Sequence, residues 1–162
     1  MCIRDRPRTF KNCVTLGEAL RPAGYRTLMT GKWHAEQTPY HRGFDRHYGL
    51  TDGCCDYFNP GIEVKMKRDR RWADDDKEYL PYTPDDPNFY TTDAFTDYAL
   101  DYLETYKDED NPFLLHIAFT APHYPIQAMP EDIAKYRGKY MVGWDEIRKE
   151  RHKRQKEMGI FD

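Results

Sequence analysis

The chain has no long apolar run, no cysteine pattern of a zinc or disulfide framework, and little imbalance of charge. Its best apolar stretch, Phe113 to Phe119, is interrupted by His116 and falls far short of the ~18 residues of a membrane-crossing helix. The N-terminus, Met1-Cys2-Ile3-Arg4-Asp5-Arg6-Pro7-Arg8, lacks the apolar core of a secretory signal. Cys2, Cys13, Cys54 and Cys55 form no C-x-x-C pair, and the adjacency of the last two would strain a bond between them. A net charge of −3 and a pI near 6.1 give no electrostatic case for nucleic acid or for a membrane surface. Internal repeats and low-complexity tracts are absent too.

What the chain does have is aromatic surface. It is polar, with 33% charged and 39% hydrophobic residues and a mean hydropathy of −0.97. Thirteen Tyr, eight Phe and three Trp offset this, which argues against intrinsic disorder and for a core near a wet cleft. A length of 162 residues suits one domain, able to bury roughly two thirds of its unfolded surface.

Thr15 and Glu18 form a capping-box pattern that opens a short helix over Leu16 to Ala23, with Gly24 closing it and Pro22 shortening it. Tyr25 to Thr30 reads as a strand, and Gly31-Lys32-Trp33-His34 follows at its end. Residues 35–59 read as ordered loop. Residues 60–90 carry charge from Glu63 to Arg71, the run Asp74-Asp75-Asp76, and Pro81, Pro84 and Pro87; with no period, they read as a surface insertion. Helical spacing of Ala94, Phe95, Tyr98, Ala99, Tyr102, Leu103 and Tyr106 predicts a helix over Thr92 to Tyr106. Phe113 to Phe119 predicts a strand covered on both faces, with His116 buried and hydrogen-bonded inside it. Pro130 opens a further helix, and a charged helix spans Trp144 to Met158. Helix–strand alternation of this kind indicates an α/β protein.

Ligands of open α/β sheets bind outside the carboxyl ends of the strands. Two strand exits here carry cationic or imidazole groups: Lys32 with His34, and His123. Lys32 and His34 flank Trp33, so extended backbone points both to one side. Pro122 and Pro125 bias Ala121 and Tyr124 toward extended geometry and stiffen the loop that holds His123. Lys offers a compact charge to an oxyanion, and two imidazoles carry protons at neutral pH. Together they suit hydrolysis of a sulfate or phosphate ester. His41, His47 and His152 read as structural or exposed.

The wording around these loops resembles the sulfatase family. Cys13-Val14-Thr15-Leu16-Gly17-Glu18-Ala19-Leu20, Ala23-Gly24-Tyr25-Arg26-Thr27 and Gly31-Lys32-Trp33-His34 resemble the block that ends in Gly-Lys-Trp-His. Arg42-Gly43-Phe44-Asp45 with Tyr48-Gly49 resembles the next block, and Thr92-Asp93-Ala94 with Asp97-Tyr98-Ala99 the following helix. Asn111-Pro112-Phe113-Leu114 through Ala121-Pro122-His123-Tyr124-Pro125 resembles the later strand and its histidine loop. The resemblance runs from about Cys13 to the end, leaving residues 1–12 as a leader outside the family and 13–162 as a central part of the catalytic domain, with a variable insertion at about 60–90.

The resemblance implies an α/β, alkaline-phosphatase-like fold, a largely parallel sheet flanked by helices and incomplete in this chain. It implies hydrolysis of sulfate monoesters, of sulfated small molecules or sulfated polysaccharides, in a periplasmic or extracellular setting. It also implies a formylglycine, made from Cys or Ser in a Cys/Ser-x-Pro-x-Arg motif, and calcium. By carry-over, Lys32 contacts the sulfate oxygens and the formylglycine. His34 takes the proton that lets sulfate leave, and His123 binds sulfate and assists departure of the alcohol. None of Cys2, Cys13, Cys54 or Cys55 has proline two residues later, and neither the paired aspartates nor the later Asp-Asn ligands are in the sequence. This piece alone is therefore expected to be inactive, to hold no calcium, and to be poorly soluble. Rival readings are a phosphomonoester or phosphonate hydrolase of the same superfamily, a sulfatase-like anion-binding protein without catalysis, and a nucleic-acid binder using Arg148 to Lys156. Glu146, Glu150 and Glu157 interrupt the last.

Overall fold

A computed structural model describes residues 12–63 and 68–161. Two compact units divide the chain, Met1–Gln127 and Ala128–Asp162.

The first unit begins as the capping box requires. Glu18 N–H donates to Thr15 Oγ1 over 3.1 Å, and Thr15 N–H donates to Glu18 Oε2 over 2.9 Å. Helix α1, Leu16–Leu20, continues as a 3-10 turn at Arg21–Ala23 and stops at Gly24, whose φ of 87° is left-handed. The α-helical part is thus shorter than the pattern suggested, because Pro22 withdraws an N–H donor.

A five-stranded sheet follows, in the order β6-β5-β2-β1-β7. Strands β1 (Arg26–Gly31), β2 (Arg46–Leu50) and β7 (Phe113–Ala118) are parallel. Strands β5 (Trp72–Asp74) and β6 (Lys77–Tyr79) extend the β2 side antiparallel. A separate two-stranded ribbon joins β3 (Ile62–Glu63) to β4 (Arg68–Asp69). Helix α2, Thr91–Tyr106, packs across β1, β2 and β7 and presents Phe95, Ala99 and Tyr102 to the core.

That core is aromatic. Leu28, Tyr48, Leu50, Trp72, Phe89, Phe95 and Tyr102 form one buried cluster. Trp72 lies fully buried, stacked on Tyr82 at 4.9 Å and Phe95 at 5.6 Å between ring centres. Part of the 60–90 segment is therefore built into the sheet. Strands of three residues are too short to show a period, which is why the pattern read as loop.

Further expectations are corrected. Arg46–Leu50, inside the stretch read as ordered loop, forms strand β2, because Arg46, His47 and Gly49 hide its apolar residues in the sequence. Strand β7 pairs, among the described residues, with β1 alone, and its side chains are half-exposed or exposed, Phe113 at 58%. His116 is accordingly exposed rather than buried. Within the acidic run, Asp75 turns β5 into β6 at φ 53°, accepts from Arg46 Nε over 2.8 Å, and accepts from the His47 N–H over 2.8 Å.

The second unit contains α3, Pro130–Tyr136, and α4, Trp144–Glu157. Ion pairs spaced three and four residues apart, such as Lys149 with Glu146 at 2.7 Å, run along α4. No described helix is long and apolar enough to cross a membrane.

Candidate active site

The parallel strands bring three exit loops to one edge of the sheet. The register pairs Gly31 with Ala118, so β1 and β7 end side by side. Lys32 N–H then donates to Ala118 O over 2.7 Å, and Trp33 N–H donates to Leu50 O, the last residue of β2, over 2.7 Å. Close approach at this corner depends on Gly31. Its φ is +106°, and a Cβ there would lie 2.1 Å from Ala118 O.

Lys32 and His34 are half-buried. Trp33 between them is fixed, its Nε1–H donating to Gln37 O over 2.6 Å and its ring set edge-on to Phe44 at 6.2 Å. His123 leaves the same edge on the β7 loop and is exposed. Its N–H donates to Thr120 O over 3.0 Å, forming a turn. Its Nδ1 lies 2.7 Å from Tyr124 O. A carbonyl oxygen can only accept, so this bond puts the proton on Nδ1 and leaves Nε2 to face a ligand.

The third loop, after β2, lies outside the residues that the sequence pointed to. Tyr57 is fully buried, and its hydroxyl donates to His123 O over 2.6 Å. Tyr57 N–H donates to Gln127 Oε1 over 2.8 Å, while Gln127 Nε2 donates to Asp56 Oδ2 over 2.8 Å. Burial pushes the Tyr57 hydroxyl up to about 12, so it remains a donor at neutral pH. The one available signal was position, a Gly-Cys-Cys-Asp-Tyr run at the exit of a parallel strand.

Arg70 is buried at the same loop, 3.3 Å from Asp52 Oδ1 and 3.5 Å from Cys54 Sγ. Cys55 is fully buried, and that burial pushes its thiol up to about 12, against the opposite pull of Arg70 and Lys32. A thiol held protonated in this way is a poor nucleophile.

The remaining histidines sit elsewhere. His41 Nδ1 is 2.8 Å from Thr38 Oγ1, His47 is buried within β2, His116 lies mid-strand in β7, and His152 is exposed on α4.

The second block of the sequence serves the first. Arg42, 6% exposed, donates from Nε to Glu18 Oε1 over 2.6 Å, and from Nη2 to Glu18 Oε2 and Cys13 O, each over 3.0 Å. The guanidinium bonds, followed by the Thr15 amide, hold the Glu18 carboxyl down at about 2. Asp45 Oδ2 accepts from Thr27 N–H over 2.9 Å, so the second block clamps both α1 and the start of β1.

A model of the sulfatase family matches residues 6–162. This chain belongs to the sulfatase family. An uncharacterized sulfatase of Schizosaccharomyces pombe is 35% identical over 164 residues, covering 91% of this chain and 28% of the relative. An arylsulfatase of Klebsiella aerogenes is 34% identical over 159 residues, covering 95% of this chain and 33% of the relative. The solved structure of Ps i-CgsB matches with a TM-score of 0.59 at 30% identity, over 74% of this chain and 29% of that one. That of BT4656 in complex with its substrate, D-glucosamine-2-N,6-O-disulfate, matches with a TM-score of 0.54 at 26% identity, over 78% of this chain and 22% of that one. The sulfatase chain described here thus spans about a third or less of the relatives it matches. Its mixed sheet, flanked by helices, is an alkaline-phosphatase-like α/β fold in part.

Sulfatases as a family point to formylglycine and a metal ion. Among the described residues no three His, Cys, Asp or Glu side chains come close enough to hold a metal, and no cysteine lies in the motif that yields formylglycine. These residues do not fit either group.

Proposed function

We propose that the whole protein is a sulfuric ester hydrolase and that this part of its catalytic domain supplies Lys32, His34 and His123 to the site. The reaction breaks the bond between sulfur and the ester oxygen, adds water and releases an alcohol with sulfate. Lys32 offsets charge on the sulfuryl oxygens. His34 accepts a proton, and His123, with both ring nitrogens protonated, hydrogen-bonds the sulfuryl group through Nε2–H and delivers that proton to the departing alcohol oxygen.

One observation carries this reading: the parallel pairing of β1 with β7, through which the Lys32 amide bonds Ala118 at the root of the His123 loop. Membership of the sulfatase family supports the sulfate ester over the phosphate ester. For the substrate we propose a sulfated carbohydrate, supported by BT4656 with its disulfated glucosamine substrate and by Ps i-CgsB in complex with k-i-k-neocarrahexaose.

The test is steady-state kinetics of the whole protein on p-nitrophenyl sulfate and p-nitrophenyl phosphate. Sulfate turnover is expected to dominate. Alanine at Lys32, His34 or His123 should each lower kcat/KM by about 10²-fold or more. A preference for phosphate, or full activity in any of the three variants, would contradict the assignment.

A further inference from the structure

We propose that Tyr57 is a positioning residue for His123. The inference rests on the reading of His123 as a sulfate-site residue and adds to it.

Beyond the two prolines that stiffen it and the turn from His123 N–H to Thr120 O, the His123 loop has little of its own to fix its position. Between β7 and Gln127 it contains no regular element, and the side chains of Phe119, His123, Tyr124 and Ile126 are exposed. Its chain would sample many conformations unless tied down, and fixing each residue carries an entropic cost. The β2 exit loop ties it at two points. Tyr57 OH donates to the carbonyl of His123 itself over 2.6 Å. Four residues on, Gln127 is gripped from both directions, by the Tyr57 amide and by Asp56 Oδ2, each over 2.8 Å.

The grip is anchored on rigid structure. Tyr57 is fully buried, and its carbonyl accepts from the Thr91 N–H at the start of α2 over 2.9 Å. Asp56 Oδ1 accepts from the N–H groups of Phe58 and Asn59 over 2.9 and 2.8 Å. A bond to the His123 carbonyl orients the peptide between His123 and Tyr124. That peptide leads to the Tyr124 carbonyl, which accepts from His123 Nδ1. One hydroxyl therefore governs where the imidazole sits, through the main chain that carries it and the residue that holds its ring. Second partners of this kind orient the groups that meet a ligand.

A buried tyrosine can also serve the core alone, and the two roles separate cleanly. Tyr57→Phe keeps the ring and removes only the donor. Kinetics of the whole protein on p-nitrophenyl sulfate would be measured for Tyr57→Phe, His123→Ala and the double variant. A misplaced reacting group costs rate more than binding, so Tyr57→Phe should lower kcat about tenfold and change KM by less than about twofold. In the His123→Ala background the same change should alter kcat by less than about twofold, because its effect acts through the imidazole.

Unchanged kcat in Tyr57→Phe, with His123→Ala impaired, overturns the positioning role and leaves the reading of His123 standing. An equal loss in both backgrounds also overturns it, since Tyr57 would then act through the fold at large. Wild-type turnover by His123→Ala removes the reading of His123 and the positioning role with it. Should Tyr57→Phe fail to fold, Gln127→Ala loosens the second tie. Its loss of about threefold should again vanish without His123, and persistence of that loss would contradict the proposal.

Discussion

Lys32 gives its backbone N–H to the carbonyl of Ala118 over 2.7 Å, one residue beyond the last paired register of β1 and β7. That bond sets the loop of Lys32 and His34 beside the loop that carries His123. Strand polarity does the rest: parallel strands end on the same edge, so groups 91 residues apart in sequence leave the sheet together.

Gly31 makes this corner possible. A methyl group there would meet Ala118 O at 2.1 Å on a backbone with φ of +106°. Gly31→Ala should destabilise the protein by about 3 kcal/mol, combining backbone strain with overpacking. The midpoint of chemical unfolding checks this, and a variant as stable as the parent would contradict it.

Arg42 and Glu18 hold the first two sequence blocks together. Arg42→Ala leaves the carboxylate without its fork and Cys13 O without a donor. With Glu18 a third exposed, the cost should be about 2–3 kcal/mol, less than for a fully buried pair. Arg42→Lys should recover part of this, since a point charge cannot reproduce the two-pronged contact. Thermal melts of the three proteins would rank them.

Stability should fall on acidification, beginning near pH 6.5. Burial pushes the His47 imidazole down to about 3 from an ordinary 6.5, so between those values the unfolded chain binds a proton that the folded one refuses. Its contribution is full above pH 6.5 and is lost as pH falls toward 3. Glu18, held at about 2 against 4.5, acts with the same sign lower down. Unfolding free energy measured against pH should therefore slope upward from acid to neutral. His47→Leu should flatten the portion between 4.5 and 6.5, and an unchanged slope there would contradict the assignment.

Trp72 tests whether the segment after β4 belongs to the core. It is fully buried and touches the rings of Tyr48, Tyr82 and Phe95. Trp72→Ala should cost about 3–5 kcal/mol, as other large aromatic deletions do. A cost below about 1 kcal/mol would mean that the segment is a surface appendage.

Much of this was legible in the residues. The Thr15–Glu18 box, the left-handed Gly24, the spacing of Phe95, Ala99 and Tyr102, and the strand after Asn111 each follow from local rules. The blocks that resembled sulfatases turned out to be the ones that fold against each other, as Arg42 on Glu18 and Asp45 on Thr27 illustrate. Strands β3 to β6 escaped, because two or three residues carry no measurable alternation, and β2 escaped because Arg46, His47 and Gly49 leave it without an apolar run. His116 was misread because an apolar run looks the same on a covered strand as on one paired along a single side. Tyr57 escaped for a different reason: its partner is a main-chain carbonyl 66 residues away, and no side-chain pattern announces such a bond.

The most direct measurement of the central claim is a crystal structure of the whole protein with sulfate bound. One anion should lie within about 2.7–3.2 Å of Lys32 Nζ and of a ring nitrogen of both His34 and His123. Sulfate held elsewhere, with the two imidazoles too far apart to share it, would contradict the account.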